Sequence, residues 1–299
     1  MQAGPATYAK LVATMAFWGG TWIAGRLLAL EVDPLQAAVW RFLFASAGLF
    51  VLVLWHEGRL PLPGAKEIVY IVLLGASGVF LYNLFFFYGL QRIAAGRGAL
   101  VVALNPAMSA VVAWTLRHER VTAMKGLGAA VAFFGSLVVI SNGDPAALLR
   151  GDVGVGELLV FGCVVCWTAY TFIGRAATKT LTALVATAYS CAAGLVMLLL
   201  ALLWRETPSA AMLTPHFSAS AWASLLFLGL FATTVGYAWY NDGVRRIGAA
   251  RAAAFINLVP VAGVALGALL LGERLGLPVL GGGAMILLGV WLTNRSRPA

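Results

Sequence analysis

Apolar residues fill most of the chain in stretches of about 20, the length of α-helix that crosses the hydrocarbon core of a bilayer. Short connections rich in turn-forming residues separate these stretches. The pattern predicts ten membrane spans: Tyr8–Leu28, Pro34–Trp55, Glu67–Leu90, Gly98–Leu116, Met124–Ser141, Val153–Gly174, Leu181–Trp204, Ala219–Tyr240, Ala250–Leu271 and Leu277–Asn294. Backbone groups at bilayer depth must hydrogen-bond within the protein, so the predicted fold is an all-α, polytopic helix bundle.

Composition excludes a soluble protein. Hydrophobic residues make up 62% of the chain and charged residues only 10%, whereas soluble domains carry about 25% charged residues. The 20 Lys and Arg residues outnumber the 11 Asp and Glu residues, but they lie in the connections, where lipid headgroups would be. We therefore expect the lipid bilayer as a partner and no nucleic acid.

The distribution of Lys and Arg also predicts an orientation. With a cytoplasmic N-terminus, thirteen of the 20 basic residues fall on the inner side of the membrane. This excess favours both termini in the cytoplasm.

An internal duplication organises the chain. The stretch Gly89–Arg120 matches Gly243–Arg274 without a gap when the sequence is moved by 154 positions. The move superposes the rare residues Arg92 on Arg246, Arg97 on Arg251, Pro106 on Pro260 and Glu119 on Glu273. The repeats are residues 1–148 and 149–299, each with five predicted spans. Five is an odd number, so the second repeat enters the membrane inverted relative to the first.

Sequence signals for catalysis are nearly absent. His118-Glu119 begins like a zinc-protease helix, but the second histidine of that motif is missing. We find no Ser/His/Asp set and no pair of carboxylates at membrane depth. The sequence therefore predicts no enzyme, no cofactor and no metal site.

The matched prolines, Pro106 and Pro260, predict breaks in spans four and nine. Asn105-Pro106-Ala107 resembles the aquaporin tripeptide, but the second copy reads Leu258-Val259-Pro260, which argues against a water channel. Paired broken helices in inverted repeats mark a substrate site near the bilayer midplane. The alternative is a plain packing kink.

Arg97 and Arg251 open the same two spans, where a cation opposes the helix dipole. The repetition predicts a partner, and the candidates are a lipid phosphate, Glu119, Glu273 or the carboxylate of a passing substrate. We group both arginines with the two prolines as helix-break or gating residues.

Aromatic and amide side chains cluster near the predicted breaks. Trp18 and Trp167 match each other at an offset of 149, in the middle of spans one and six. We expect a central cavity in which aromatic side chains stack on a substrate and amides hydrogen-bond to it. The predicted binding residues are Trp18, Trp22, Tyr82, Asn83, Asn105, Trp167, Tyr170, Trp239 and Asn257. The alternative for the aromatic members is anchoring at the bilayer interface.

Two charges fall inside predicted spans, Arg41 in span two and Glu157 in span six. Charge at the bilayer centre costs roughly 2.5–3.5 kcal/mol, which favours positions facing the bundle interior or water. The alternative for both is the headgroup region. Glu157 is the candidate for proton coupling.

These features resemble the EamA-type branch of the drug/metabolite transporter superfamily. The resemblance rests on ten spans, two five-span halves and the repeated Gly-x2-Arg…Pro…Glu-Arg pattern, and it covers nearly the whole chain. Within the branch the chain looks most like the YddG-type bacterial exporters of aromatic and other amino acids.

The resemblance implies an alternating-access exporter of amino acids in the bacterial cytoplasmic (inner) membrane. Spans one, three, four, six, eight and nine would line a central cavity, with spans five and ten packed outside. Export of drugs, nucleosides or other small metabolites is the alternative. The glycine-rich faces of spans five and ten suit close contact within a half or between protomers, so a monomer and a homodimer both stay open.

Overall fold

The computed structural model describes residues 4–115, 123–144, 154–205, 216–248, 252 and 255–295, and these residues form helices and connections without a strand. The helices are α1 (Pro5–Glu31), α2 (Pro34–Glu57), α3 (Ala65–Leu74), α4 (Tyr82–Leu90), α5 (Ala95–Val102), α6 (Asn105–Thr115), α7 (Ala123–Ile140), α8 (Val155–Ala177), α9 (Ala183–Arg205), α10 (Ala219–Leu226), α11 (Gly236–Ile247), α12 (Leu258–Leu271) and α13 (Leu277–Arg295).

Each of the ten predicted spans contains helix in the part of the chain that the structure describes. Within that part, six continuous helical stretches are long and apolar enough to cross a membrane, and three shorter apolar helices accompany them. The prediction of an all-α membrane protein is confirmed, and the number of ten crossings stays a prediction.

Local sequence explains how α2 begins and ends. The Asp33 carboxylate accepts hydrogen bonds from the backbone N–H groups of Leu35 and Gln36, while Pro34 supplies a first residue that needs no N–H partner. Gly58 ends α2 in the left-handed conformation, with φ of 69°. The chain therefore turns back sharply between consecutive membrane helices.

Two π-helical segments interrupt the third and eighth predicted spans. The first, π1 (Gly75–Leu81), joins α3 to α4, and the second, π2 (Phe227–Val235), joins α10 to α11. An offset of 154 carries Gly75 onto Gly229, so the two segments occupy matching places in the repeats. Within π2, the Thr233 and Thr234 hydroxyls donate to carbonyls five residues earlier. The duplication thus extends to an uncommon helix geometry that marks functional sites more often than other places.

Both prolines lie directly after interruptions in their helices. The turn at Ala103 and Leu104 separates α5 from α6, in which Pro106 is the second residue. A turn at Ile256 and Asn257 precedes α12, in which Pro260 is the third residue. Arg251 lies outside the described residues.

The two repeats interleave instead of packing as separate lobes. Helix α1 of the first repeat packs against α12, α11 and π2 of the second, and α9 packs against α2 and π1. Large buried residues such as Leu28, Leu49 and Leu198 fill the contacts between helices. The surface between the repeats therefore runs through the middle of the bundle.

The glycine faces of spans five and ten meet within the chain. A methyl group added at Gly135 would lie 2.7 Å from the carbonyl oxygen of Gly282, and one at Gly282 would lie 2.7 Å from that of Gly135. The two glycines let α7 and α13 approach almost to backbone contact. The predicted uses of these faces were contact within a half or between protomers, and the structure instead shows contact between the two halves of one chain.

Candidate functional site

A cavity of about 550 Å³ lies between the repeats, within the range of roughly 300–1,000 Å³ that is typical of small-molecule sites. It extends from the middle of the bundle to the end that holds the turn at residues 178–182, because Gly174, Thr178 and Ala183 belong to its wall. Most residues of the cavity wall are aromatic or aliphatic, and threonine and asparagine side chains provide polar groups among them. We call the opposite end of the bundle the closed end.

Eight of the nine predicted binding residues line this cavity. They are Trp18, Trp22, Tyr82, Asn83, Asn105, Trp167, Tyr170 and Asn257, and Pro260 lines it as well. The ninth, Trp239, does not belong to the lining. Its indole ring stacks on Phe17 at a centroid distance of 5.7 Å.

The aromatic residues form two clusters, and each brings together aromatic side chains of both repeats. Trp18 lies 5.7 Å from Tyr237 and 5.3 Å from Tyr240, measured between ring centroids. Trp167 lies 6.0 Å from Tyr82 and stacks on Tyr170 at 5.4 Å. Aromatic faces at such spacings offer stacking surfaces to a planar or apolar solute.

The two matched tryptophans differ in their hydrogen bonds. Trp18 Nε1 donates to the Ala232 carbonyl oxygen at 2.9 Å, which ties α1 to π2. The Trp167 indole N–H has no acceptor among the described residues. Trp18 therefore has a structural role beside its place in the cavity wall, whereas Trp167 keeps a donor that a solute could use.

More helices contribute to the cavity than the family resemblance implies. The six implied spans all contribute to the lining. In addition, α2 contributes Arg41 and Phe42, α9 contributes Thr187 and Cys191, and α13 contributes Leu287 and Val290. Cavity residues on α2 and α9 were missed because the family resemblance implies a cavity lined by other spans and the matched prolines and tryptophans lie outside these two. For Arg41 the signal was present, since a charge within a membrane span is unusual.

Arg97 pairs with a residue that was not among its predicted partners, and Glu119, which was among them, lies outside the described residues. Its guanidinium Nη1 lies 2.9 Å from Glu157 Oε1, and its Nε donates to the Val139 carbonyl oxygen at 3.1 Å. Glu157 is only 5% exposed and lies outside the cavity lining. This pairing favours a structural role for Glu157 over the predicted role in proton coupling.

Glu273 caps α5 instead of pairing with Arg97. Its two carboxylate oxygens accept the backbone N–H groups of Ala95 and Gly96 at 2.7 and 2.8 Å. These N–H groups belong to the first turn of α5, where a helix has no partners of its own. A residue of the second repeat thereby completes a helix of the first.

Polar contacts between the repeats gather at the closed end. Besides the two contacts just described, Arg205 Nη2 lies 2.8 Å from Asp33 Oδ1, and Glu31 accepts hydrogen bonds from the Ser218 backbone and hydroxyl. At the other end, Lys10 Nζ lies 3.3 Å from Asp242 Oδ2, and the hydroxyls of Thr182 and Tyr189 donate to Glu57 and to the Pro61 carbonyl oxygen. Opening the cavity at the closed end would require the contacts there to separate.

Comparison with known proteins agrees with this architecture. The EamA-like transporter family matches the chain twice, over residues 6–141 and 154–295. A solved crystal structure has a similar fold, with a TM-score of 0.64 at 20% identity over 97% of this chain and 98% of that one. The two family matches fall on the two repeats that the sequence analysis describes.

Individual relatives carry transporter names. The uncharacterized transporter YyaM of Bacillus subtilis is 30% identical over 287 residues, which cover 95% of this chain and 92% of that protein. A protein of Streptantibioticus cattleyicolor named a probable terminal-alkyne amino-acid exporter is 28% identical over 236 residues, covering 78% of this chain and 75% of that one. The chain belongs to the EamA-like transporter family.

Proposed function

We propose that this transporter exports amino acids, aromatic ones included, across the bacterial inner membrane. The single observation that carries the proposal is the cavity between the inverted repeats, whose aromatic clusters alternate with hydroxyl and amide groups. An amino acid combines an apolar side chain with polar groups at one end, and both kinds of surface are present. The exporter name of the Streptantibioticus relative supports the same substrate class.

The proposed mechanism is alternating access. The cavity meets the surface at the end with the turn at residues 178–182, while four polar contacts join the repeats at the closed end. One repeat would rock against the other until the closed-end contacts separate and the cavity opens there. The helix interruptions before Pro106 and Pro260 lie where such bending costs least.

Counter-exchange in liposomes tests the proposal. Purified protein is reconstituted into liposomes that are preloaded with unlabelled phenylalanine, and uptake of labelled phenylalanine is followed. We expect saturable uptake that depends on the preload. Uptake that neither saturates nor responds to the preload would indicate a passive channel and contradict the proposal.

Tryptophan variants connect that activity to the cavity. Trp167→Ala removes a stacking surface and should lower exchange about 2- to 10-fold, because aromatic stacking contributes roughly 0.5–1.5 kcal/mol beyond the area it buries. Trp239→Ala is the matched control, since that ring lies outside the lining. Equal rates for both variants would place the solute elsewhere.

The same liposomes separate amino-acid export from the alternative substrates. Nucleosides or cationic dyes that exchange through the cavity while amino acids do not would favour a drug or nucleoside exporter. In that outcome the cavity assignment stands and the substrate class changes.

A further inference from the structure

Arg41 lies at the inner wall of the cavity and is the charged residue of its lining within the described part of the chain. Its side chain is about nine-tenths buried, with 9% of the residue exposed. The guanidinium carbon lies 5.3 Å from the ring centroid of Phe42 and 5.5 Å from that of Phe86. Aromatic faces hold the cation in place without neutralising its charge.

The hydrogen bonds of Arg41 are incomplete. A guanidinium has five N–H donors, and the structure shows one bond, from Nη1 to Asn83 Oδ1 at 2.9 Å. The buried Nε has no partner. No carboxylate among the described residues pairs with Arg41. A buried charge without a counter-ion is costly, so its retention in a cavity wall calls for an anion from outside the protein.

Asn83 holds the guanidinium in one orientation. Its amide nitrogen donates to the Val79 carbonyl oxygen at 2.7 Å, one turn earlier, and this bond directs the amide oxygen toward Arg41. The partner is neutral, so the positive charge of Arg41 is positioned and left uncompensated. A planar guanidinium fixed in this way matches the geometry of a carboxylate.

Aromatic side chains continue from Arg41 toward the rest of the cavity, first Phe86 behind the wall and then Tyr82 and Trp167 within it. Phe86, beside the guanidinium, stacks on Tyr82 at 6.2 Å, and Tyr82 lies 6.0 Å from Trp167. A solute with an acid group at one end and an apolar side chain at the other would therefore find both surfaces in the right order.

We propose that Arg41 binds the carboxylate of the transported solute. The assignment rests on the proposed function, in that the cavity must be the solute path, and it narrows the substrate class to carboxylate-bearing molecules. Amines that lack the acid group would leave the charge of Arg41 uncompensated and should bind poorly.

Three probes of similar shape test the site. They are L-phenylalanine, 3-phenylpropionate, which lacks the ammonium group, and 2-phenylethylamine, which lacks the carboxylate. Binding to the purified full-length protein is measured by calorimetry. We expect both carboxylates to bind at least about tenfold more tightly than the amine, as charge-assisted hydrogen bonds contribute roughly 1.5–3 kcal/mol.

Two substitutions ask whether Arg41 causes this preference. Arg41→Gln should weaken both carboxylates about 10- to 100-fold and should not weaken binding of the amine, because the amine no longer meets a positive charge. Asn83→Asp keeps Arg41 but supplies a fixed carboxylate, which should occupy the guanidinium and remove the preference while the protein stays folded. Arg92→Gln, at an exposed position, is the matched control and should bind as the original protein does.

The outcomes separate this assignment from the proposed function. If the original protein does not discriminate among the three probes, or if both cavity variants bind them as it does, the carboxylate site is wrong. Should amino-acid exchange persist unchanged in Arg41→Gln, the site fails and the exporter proposal stands. Arg41-dependent binding of phenylpropionate without any amino-acid exchange would sustain the site and overturn the exporter proposal.

Discussion

Arg97 of the first repeat and Glu157 of the second form an ion pair with 2.9 Å between Nη1 and Oε1. Glu157 stands in the first turn of α8, where its negative charge also complements the helix dipole. The pair fastens the start of α5 to the start of α8 at the closed end. The carboxylate chosen from the sequence as a proton acceptor therefore already has a basic partner.

The ion pair predicts the effect of Glu157→Gln. The substitution keeps the shape of the side chain but removes its charge beside a mostly buried arginine, so it should destabilise the protein by about 1–3 kcal/mol. We expect a lower melting temperature in detergent, with the pH dependence of accumulation in liposomes unchanged. Loss of pH-driven accumulation at an unaltered melting temperature would restore the proton-coupling role.

Glu273→Ala tests the helix cap that one repeat supplies to the other. Removing the carboxylate leaves the N–H groups of Ala95 and Gly96 without acceptors, which should cost about 1–2 kcal/mol. The matched control is Glu67→Ala, because Glu67 caps its own helix at Gly64 in an exposed position where water can replace it. Melting temperatures that fall equally in the two variants would contradict a special role for the cap between repeats.

Two neighbouring glycines test the packing of α7 on α13. Gly282→Ala would bring a methyl group to 2.7 Å from the Gly135 carbonyl oxygen, and overpacking of this kind costs about 1–3 kcal/mol. Gly281→Ala is the control, since a methyl group there meets no atom within 4 Å. We expect the first variant to melt earlier and the second to match the original protein or exceed it. Similar losses in both variants would contradict the assignment of the effect to the close contact between Gly282 and Gly135, since alanine favours a helix more than glycine does.

The two matched tryptophans should respond differently to loss of their indole N–H. Trp18→Phe removes the hydrogen bond to Ala232 and should lower stability by about 1 kcal/mol. Trp167→Phe removes a donor without an acceptor among the described residues, so stability should hold while the affinity for a hydrogen-bonding solute falls. Thermal melting and exchange kinetics on the same preparations separate the two effects. A loss of stability in Trp167→Phe with unchanged stability in Trp18→Phe would contradict the prediction.

Much of this architecture is readable from the sequence, because a membrane imposes strong rules. Span length follows from bilayer thickness, and inversion follows from an odd number of spans in each repeat. The match of Pro106 with Pro260 located both helix interruptions. The cavity residues Trp18 and Trp167 were found because large aromatic side chains in the middle of a span have few other uses.

Contacts between distant helices could not be predicted in the same way. The partner of Arg97 depends on how α5 meets α8 in space, and nothing in the local sequence specifies that meeting. Trp239 was misplaced for a similar reason, since the offset of 154 fixes its position along the helix but not the direction in which the side chain points. Arg41 was recognised as unusual, and only the three-dimensional structure shows that it lacks a counter-ion.

The π-helical segments offer a way to turn the helices that form the cavity wall. Moving one residue through such a segment turns the helix beyond it by about 100° and advances it by about 1.5 Å, as a screw moves in its thread. In π1 that motion would rotate Tyr82 and Asn83, and in π2 it would rotate Tyr237, all without breaking the helix into separate pieces. Each repeat thus holds, at the same place, a π-helical segment through which a shift of one residue would redirect side chains of the cavity wall.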